Sequence, residues 1–251
     1  ISFAPILLSA TPVPAVEVAR PMPFHHLFTG SPLGTVGILL LGSIYATQLG
    51  MGAVFGTQIG LTTIQIALFI AMLFAGALVL QYPIGWLSDR MDRRILIFGL
   101  SLLGAASCLL GWITGGGLWP LMAAAFFAGG VTPPLYALLL AFTNDALSAA
   151  DMPAASGGLV FTFGLGAIVG PLVAGWAMQE LGPYAFWLVL GITFGAMALN
   201  ALYRMTQRAV VPAGETDSYL NVLPTASPVA VEAAGDWAVE NAAAESETNS
   251  T

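Results

Sequence analysis

TIQIALFIAMLFAGALVLQYPIG, residues 63–85, carries no Asp, Glu, Lys, Arg or His. A helix needs about 20 mostly apolar residues to cross the hydrocarbon core of a bilayer, and this run is long enough. In that core the segment must satisfy its own backbone N–H and C=O groups, which a helix does internally. A strand of a membrane barrel would be about half as long and would alternate polar with apolar residues. This stretch does not alternate, so it predicts a transmembrane helix.

On either side the same reading repeats. Leu33–Gly56, Ile95–Ile113, Leu118–Phe142, Ala155–Gln179 and Tyr184–Tyr203 are further predicted spans. The composition agrees: charged residues make up 8% and hydrophobic residues 57%, whereas a soluble domain carries about 25% charge. The predicted fold class is an all-α membrane protein with a bundle of six transmembrane helices over residues 33–203, and the lipid bilayer is its first partner.

The net charge of −7 comes from one end of the chain. Between Ile1 and Arg208 the arginines are balanced by Glu17, Asp89, Asp92, Asp145, Asp151 and Glu180, whereas the residues after Arg208 hold acids and no base. There is no lysine and no basic patch, so no nucleic-acid partner is expected. Residues 204–251 read as an acidic, disordered cytoplasmic tail. The Asn249-Ser250-Thr251 glycosylation pattern carries no meaning there. Residues 1–10 read as the end of a preceding helix, and residues 11–32, with Pro12, Pro14, Pro21 and Pro23, as a cytoplasmic central linker. His25 and His26 fall in that linker, where solvated loop residues are the default. Cys108 is the one cysteine; it suits packing, since neither an intrachain disulfide nor a metal-type spacing exists. No cofactor and no metal site are expected.

The connections alternate in charge. Gln58–Thr62, Thr114–Gly117 and Glu180–Pro183 hold no arginine. Arg20, then Arg90, Arg93 and Arg94, then Arg204 and Arg208 all fall on the other side when crossings are counted. The positive-inside rule makes that side cytoplasmic. The remaining connection there, Thr143–Pro153, is acidic; Asp151 followed by Pro153 reads as a helix start.

Between the second and third spans stands Gly85-Trp86-Leu87-Ser88-Asp89-Arg90-Met91-Asp92-Arg93-Arg94. It resembles the loop signature of the major facilitator superfamily (MFS), G-x-L-A/S-D-R-x-G-R-R/K. Gly85, Leu87, Asp89, Arg90, Arg93 and Arg94 agree with it, and Asp92 stands where the family usually has glycine. The resemblance implies a secondary transporter. Together with the linker, it implies that the six spans are helices 7 to 12, the C-terminal half of a twelve-helix fold, built of two inverted three-helix repeats. It also implies a gate. Asp89 would engage the positive end of a helix in the missing N-terminal half, and the arginines would fix the loop through carboxylates or anionic lipid.

A second motif is Gly166-x-x-x-Gly170-Pro171-x-x-x-Gly175 in the fifth span. Glycines four apart line one face and admit a neighbouring backbone, and Pro171, which removes a backbone donor, is expected to kink the helix. A similar pattern marks helix 5 of many antiporters in the superfamily; simple packing is the other reading. Polar residues inside spans are candidates for a solute path. Tyr45 and Gln48 share a face with Gly52 in the first span, and Thr132 and Tyr136 share one with Gly129 in the fourth, beside Pro133 and Pro134. Gln65 and Gln81 are weaker candidates. Interhelical bonding explains any one of these as well as lining does.

No charged residue or histidine sits near the middle of a span. The expected function is therefore a secondary active transporter or facilitator of an unknown small solute, with any protons coupled through the missing half. The bacterial inner membrane, in an efflux or uptake role, is the expected setting, and the half is expected to be incompetent alone. A six-helix channel, or a non-transporting scaffold acting as a homodimer, is the alternative. An intramembrane protease lacks its serine–histidine or acid pair, so the chain is not expected to be an enzyme.

Overall fold

The structure is a computed structural model that describes residues 31–115, 117–145 and 152–206. The described residues form six helices: α1 Pro32–Gln58, α2 Thr63–Ser88, α3 Arg93–Ile113, α4 Leu118–Asn144, α5 Met152–Leu181 and α6 Ala185–Met205. All six are long and apolar enough to cross a membrane, and no strand occurs among the described residues. The expected preceding helix end, most of the linker and the tail beyond residue 206 lie outside the described residues, as do His25, His26 and Asp151.

Each helix matches its predicted span to within a few residues, mostly by running past the apolar stretch into polar ends. The reason is capping: a helix ends where its terminal N–H and C=O groups find partners, not where hydropathy falls. α2 begins with a capping box, in which the Thr62 hydroxyl accepts from the Gln65 backbone and the Gln65 side chain accepts from Thr62 N–H. Gln65 is therefore a helix cap. Asp92 caps α3 by accepting from Arg94 N–H at 2.8 Å. Its φ of −58° is ordinary for any residue, so the position where the family signature has glycine needs no glycine here. Two of the arginine-free turns are closed by Gly60 and Gly182, at φ of +78° and +89°, a region costly for residues with a Cβ.

The packing is two-fold in pattern. α1 lies chiefly along α5, and α2 along α4; exchanging the first three helices for the last three turns one pair into the other. That is the arrangement two inverted three-helix repeats produce. Both crossings are made by glycine. A Cβ on Gly166 would meet the Leu39 carbonyl and Ser43, and one on Gly170 would meet Ser43. Across the other crossing, Gly76 lies against Phe126 and Gly130, and Gly129 against the Leu73 backbone. Lipid gives no hydrophobic drive for helix association, so close van der Waals packing of this kind supplies it. The third main contact, α3 on α6, seats the Phe194 ring over Gly104 and the Trp187 ring over Gly111.

α4 is the most enclosed helix, with 72% of its central stretch buried, and α2 the least, with 17%. Ile64, Leu78 and Tyr82 on α2 and Ile168 and Leu172 on α5 are more than 60% exposed. Apolar surface on that scale suits lipid or a second apolar body, not water. Trp86, Tyr82 and Tyr203 are exposed near the arginine-bearing ends, and Trp112, Trp119 and Trp176 near the opposite ends. Two such bands are what the bilayer interfaces select.

Gly76→Ala tests the crossing. Alanine favours a helix over glycine by about 1 kcal/mol, but overpacking a tight contact costs about 1–3 kcal/mol, so the overlap wins. Thermal unfolding in detergent should show a loss of stability for Gly76→Ala and none for Gly195→Ala, whose Cβ would meet nothing within 4 Å.

Candidate functional site

The signature loop is built at the junction of α2 and α3. Gly85 and Leu87 are in the last turn of α2, Asp89 is its C-cap, and Arg93 and Arg94 open α3. Arg90 folds back over the Trp86 ring, 4.1 Å from its centroid, and donates to the Trp86 carbonyl at 3.1 Å. Arg93 is only 4% exposed and forms a salt bridge with Asp145, the residue that closes α4. Arg94 is also buried and stands 5.5 Å from the Phe142 ring centroid, one turn earlier on α4. Asp89 remains exposed at the end of α2.

The Arg93–Asp145 pair has a specific geometry. α3 and α4 form a hairpin whose far turn is residues 114–117, and the pair closes its open end. Each charge opposes its own helix dipole: a cation at the first turn of α3, an anion at the end of α4. Neither placement is favourable alone, and each offsets the other. In the sequence Asp145 reads only as part of an acidic connection. Its pairing crosses 52 positions, which no local pattern reveals.

The polar residues of α1 and α4 are brought together. Gln48 Nε2 donates to the Ala128 carbonyl at 3.1 Å, and the Thr132 hydroxyl lies 3.2 Å from Gln48 Oε1 and 2.8 Å from the Ala128 carbonyl. A hydroxyl has one proton, so Thr132 shares it between these two acceptors. Gln48 is 3% and Thr132 1% exposed. These two side chains bind helix to helix. Tyr45 is half-buried and Tyr136 buried, and both rings pack on Phe163 of α5, with centroids at 5.9 and 5.6 Å. Phe163 was not a sequence candidate. It lies three residues before Gly166 in a run rich in glycine, and nothing in the local pattern marks it. Gly52 packs against Phe69 and Ile70 of α2, and Gly129 against Leu73 of α2.

In α5, Gly166 and Gly170 meet α1 as described, Pro171 lies near Gly50, and Gly175 lies near Met51. The helix runs through Pro171 without a break. This motif is therefore a packing surface against α1 throughout its length. No group of three or more His, Cys, Asp or Glu side chains able to hold a metal occurs among the described residues.

The sequence pattern of the Major Facilitator Superfamily matches residues 26–229. The chain is similar to the uncharacterized MFS-type transporter YfkF of Bacillus subtilis, at 26% identity over 154 residues, covering 60% of this chain and 38% of that protein. It is also similar to an uncharacterized MFS-type transporter of Yersinia pestis, at 24% identity over 167 residues, covering 64% and 42%. Among solved structures, an auto-inhibited POT family peptide transporter aligns with a TM-score of 0.64 at 13% identity, covering 74% of this chain and 39% of that one. The POT family transporter PepTSo aligns at 0.61 and 12% identity, covering 79% and 39%. These alignments span about two fifths of each matched protein, 38% to 42% of its length.

Two expectations follow. Asp145→Leu strands a buried guanidinium and should destabilise the protein by about 3 kcal/mol, whereas Arg93→Met with Asp145→Leu should recover most of the loss; thermal unfolding of the three variants reads this. A double-mutant cycle of Gln48→Leu and Thr132→Val should give a coupling of about 0.6 kcal/mol, the average for bonds between helices in lipid.

Proposed function

Because the chain belongs to the major facilitator superfamily, we propose that its six helices are the C-terminal half of a twelve-helix secondary transporter or facilitator that moves a small solute by alternating access. The family match and the MFS-type relatives support the membrane-transporter part of this reading. In this reading the other half supplies the facing wall, carries any proton-coupling carboxylate, and is required for transport. The arginine-bearing ends and the tail face the cytoplasm, and the membrane is a bacterial inner membrane. The work done is vectorial, not catalytic.

The observation that supports a gate most strongly is the contrast within one loop. Arg93 and Arg94 are buried and anchored on α4, so the loop is held rigidly at the end of the bundle. Asp89 stays exposed on that rigid support. An anion held at a fixed height suits the positive end of a helix that approaches in one state and withdraws in the other. A channel would not need such a latch.

The test requires no knowledge of the solute. Leu49 lies one helical turn beyond Tyr45 and is 36% exposed. A single cysteine placed there, in the complete transporter, reports which side the path opens to; the native Cys108 is 1% exposed and gives little background. A membrane-impermeant maleimide should label Leu49→Cys from both sides. Adding Asp89→Asn should raise cytoplasmic labelling by about fivefold, the factor for loss of one charge–dipole contact. Labelling from one side only, unchanged by Asp89→Asn, would count against a gated path.

A further inference from the structure

Tyr45, Phe163 and Tyr136 form an aromatic wall contributed by three helices. Tyr45 is at the midpoint of α1, Phe163 is in the first half of α5, and Tyr136 is in the second half of α4. Phe163 stands between the two tyrosines, its ring tilted 56° to Tyr45 and edge-on, at 83°, to Tyr136. Its place depends on Gly42, since a Cβ there would strike the Phe163 carbonyl.

The two phenol oxygens have no hydrogen-bond partner among the described residues, and neither is among the buried oxygens left without one. Tyr45 is half-buried, whereas Tyr136 is only 3% exposed. Two unpaired hydroxyls near the middle of a membrane are unfavourable against hydrocarbon. This face is therefore turned away from lipid.

The other polar groups nearby are already engaged. Gln48 and Thr132 are bonded to each other and to Ala128. Thr162, next to Phe163, donates to the Gly158 carbonyl of its own helix. No Asp, Glu, Lys or Arg lies near these residues in α1, α4 or α5. What the wall presents is the ring surface of the half-buried Tyr45 and Phe163, with the Tyr136 ring packed behind Phe163. A sugar needs many paired donors and acceptors, because each one left unpaired on desolvation is penalised. A carboxylate or phosphate needs a guanidinium or ammonium. Ring faces and edges instead suit a flat aromatic body, and they tolerate a positive charge on it.

We propose that the transported solute is a planar aromatic molecule, neutral or cationic, with few hydrogen-bonding groups, and that Tyr45 and Phe163, the latter held from behind by Tyr136, form its contact surface on this half. The inference rests on the transporter reading above. Phe163 is the platform, and the Tyr45 hydroxyl selects for a small number of polar substituents.

Ethidium is a suitable probe, because its charge limits partition into detergent micelles. Fluorescence anisotropy with the purified complete transporter should show saturable binding that neither glucose nor citrate displaces. Phe163→Leu keeps apolar volume but loses the ring, and should weaken binding about tenfold. Tyr45→Phe should weaken it about two- to fivefold, the effect of one hydrogen bond. Trp176→Leu, an exposed aromatic elsewhere on α5, should leave it unchanged. Absence of saturable ethidium binding, displacement by glucose or citrate, or binding indifferent to Phe163→Leu would overturn the solute assignment. None of those outcomes alters the sided labelling at Leu49, so the transporter reading fails or survives separately.

Discussion

The crossing of α1 over α5, and its counterpart of α2 over α4, is the constraint on which the bundle depends. In water, burying apolar side chains would drive the helices together. In lipid that drive is absent, and contact must be close enough for dispersion forces between backbones to do the work. Gly166 and Gly170 against α1, and Gly76 and Gly129 between α2 and α4, provide that closeness. Because the two crossings exchange under the three-helix repeat, the same solution is used twice. α4 is left enclosed and α2 and α5 outermost, which leaves long apolar faces for lipid or a second apolar body.

From this arrangement the two regions proposed to act in transport take their places. At the arginine-bearing end, the α3–α4 hairpin is closed by Arg93 and Asp145, and the signature loop is mounted on that closed end. Near the middle, the close approach of α5 to α1 at Gly42 carries the Phe163 ring to the tyrosines of α1 and α4. One region suits a latch and the other a contact surface for a solute. They share no residue, so substitutions at one should leave the other in place.

Much of the fold is legible in the sequence, because crossing a membrane imposes a length and a composition that few other roles demand. The spans were readable to within a few residues, and the signature residues Gly85, Leu87, Asp89, Arg90, Arg93 and Arg94 were found by their order. Ends were harder: Thr62, Gln65 and Asp92 decide them through hydrogen bonds that hydropathy does not see. The sharing of faces by Tyr45 with Gln48 and by Thr132 with Tyr136 was also readable. Which member of each face would turn toward its neighbour helix was not. Gln48 and Thr132 find one another across 84 positions, and only the crossing geometry decides that. Asp145 and Phe163 escaped notice for the same reason, since their partners are distant in sequence and their own surroundings are ordinary.

In the proposed transporter this bundle rocks against a second one. The most direct measurement is a pair of spin-label distances in the complete transporter. One runs from Met91→Cys in the signature loop to the matching loop of the other half, and one from Trp119→Cys, 78% exposed at the opposite end, to that half's opposite end. Rocking gives two populations at each end, with the long distance at one end accompanied by the short distance at the other as conditions shift the balance. A single distance at both ends, unmoved by Asp89→Asn, would contradict it.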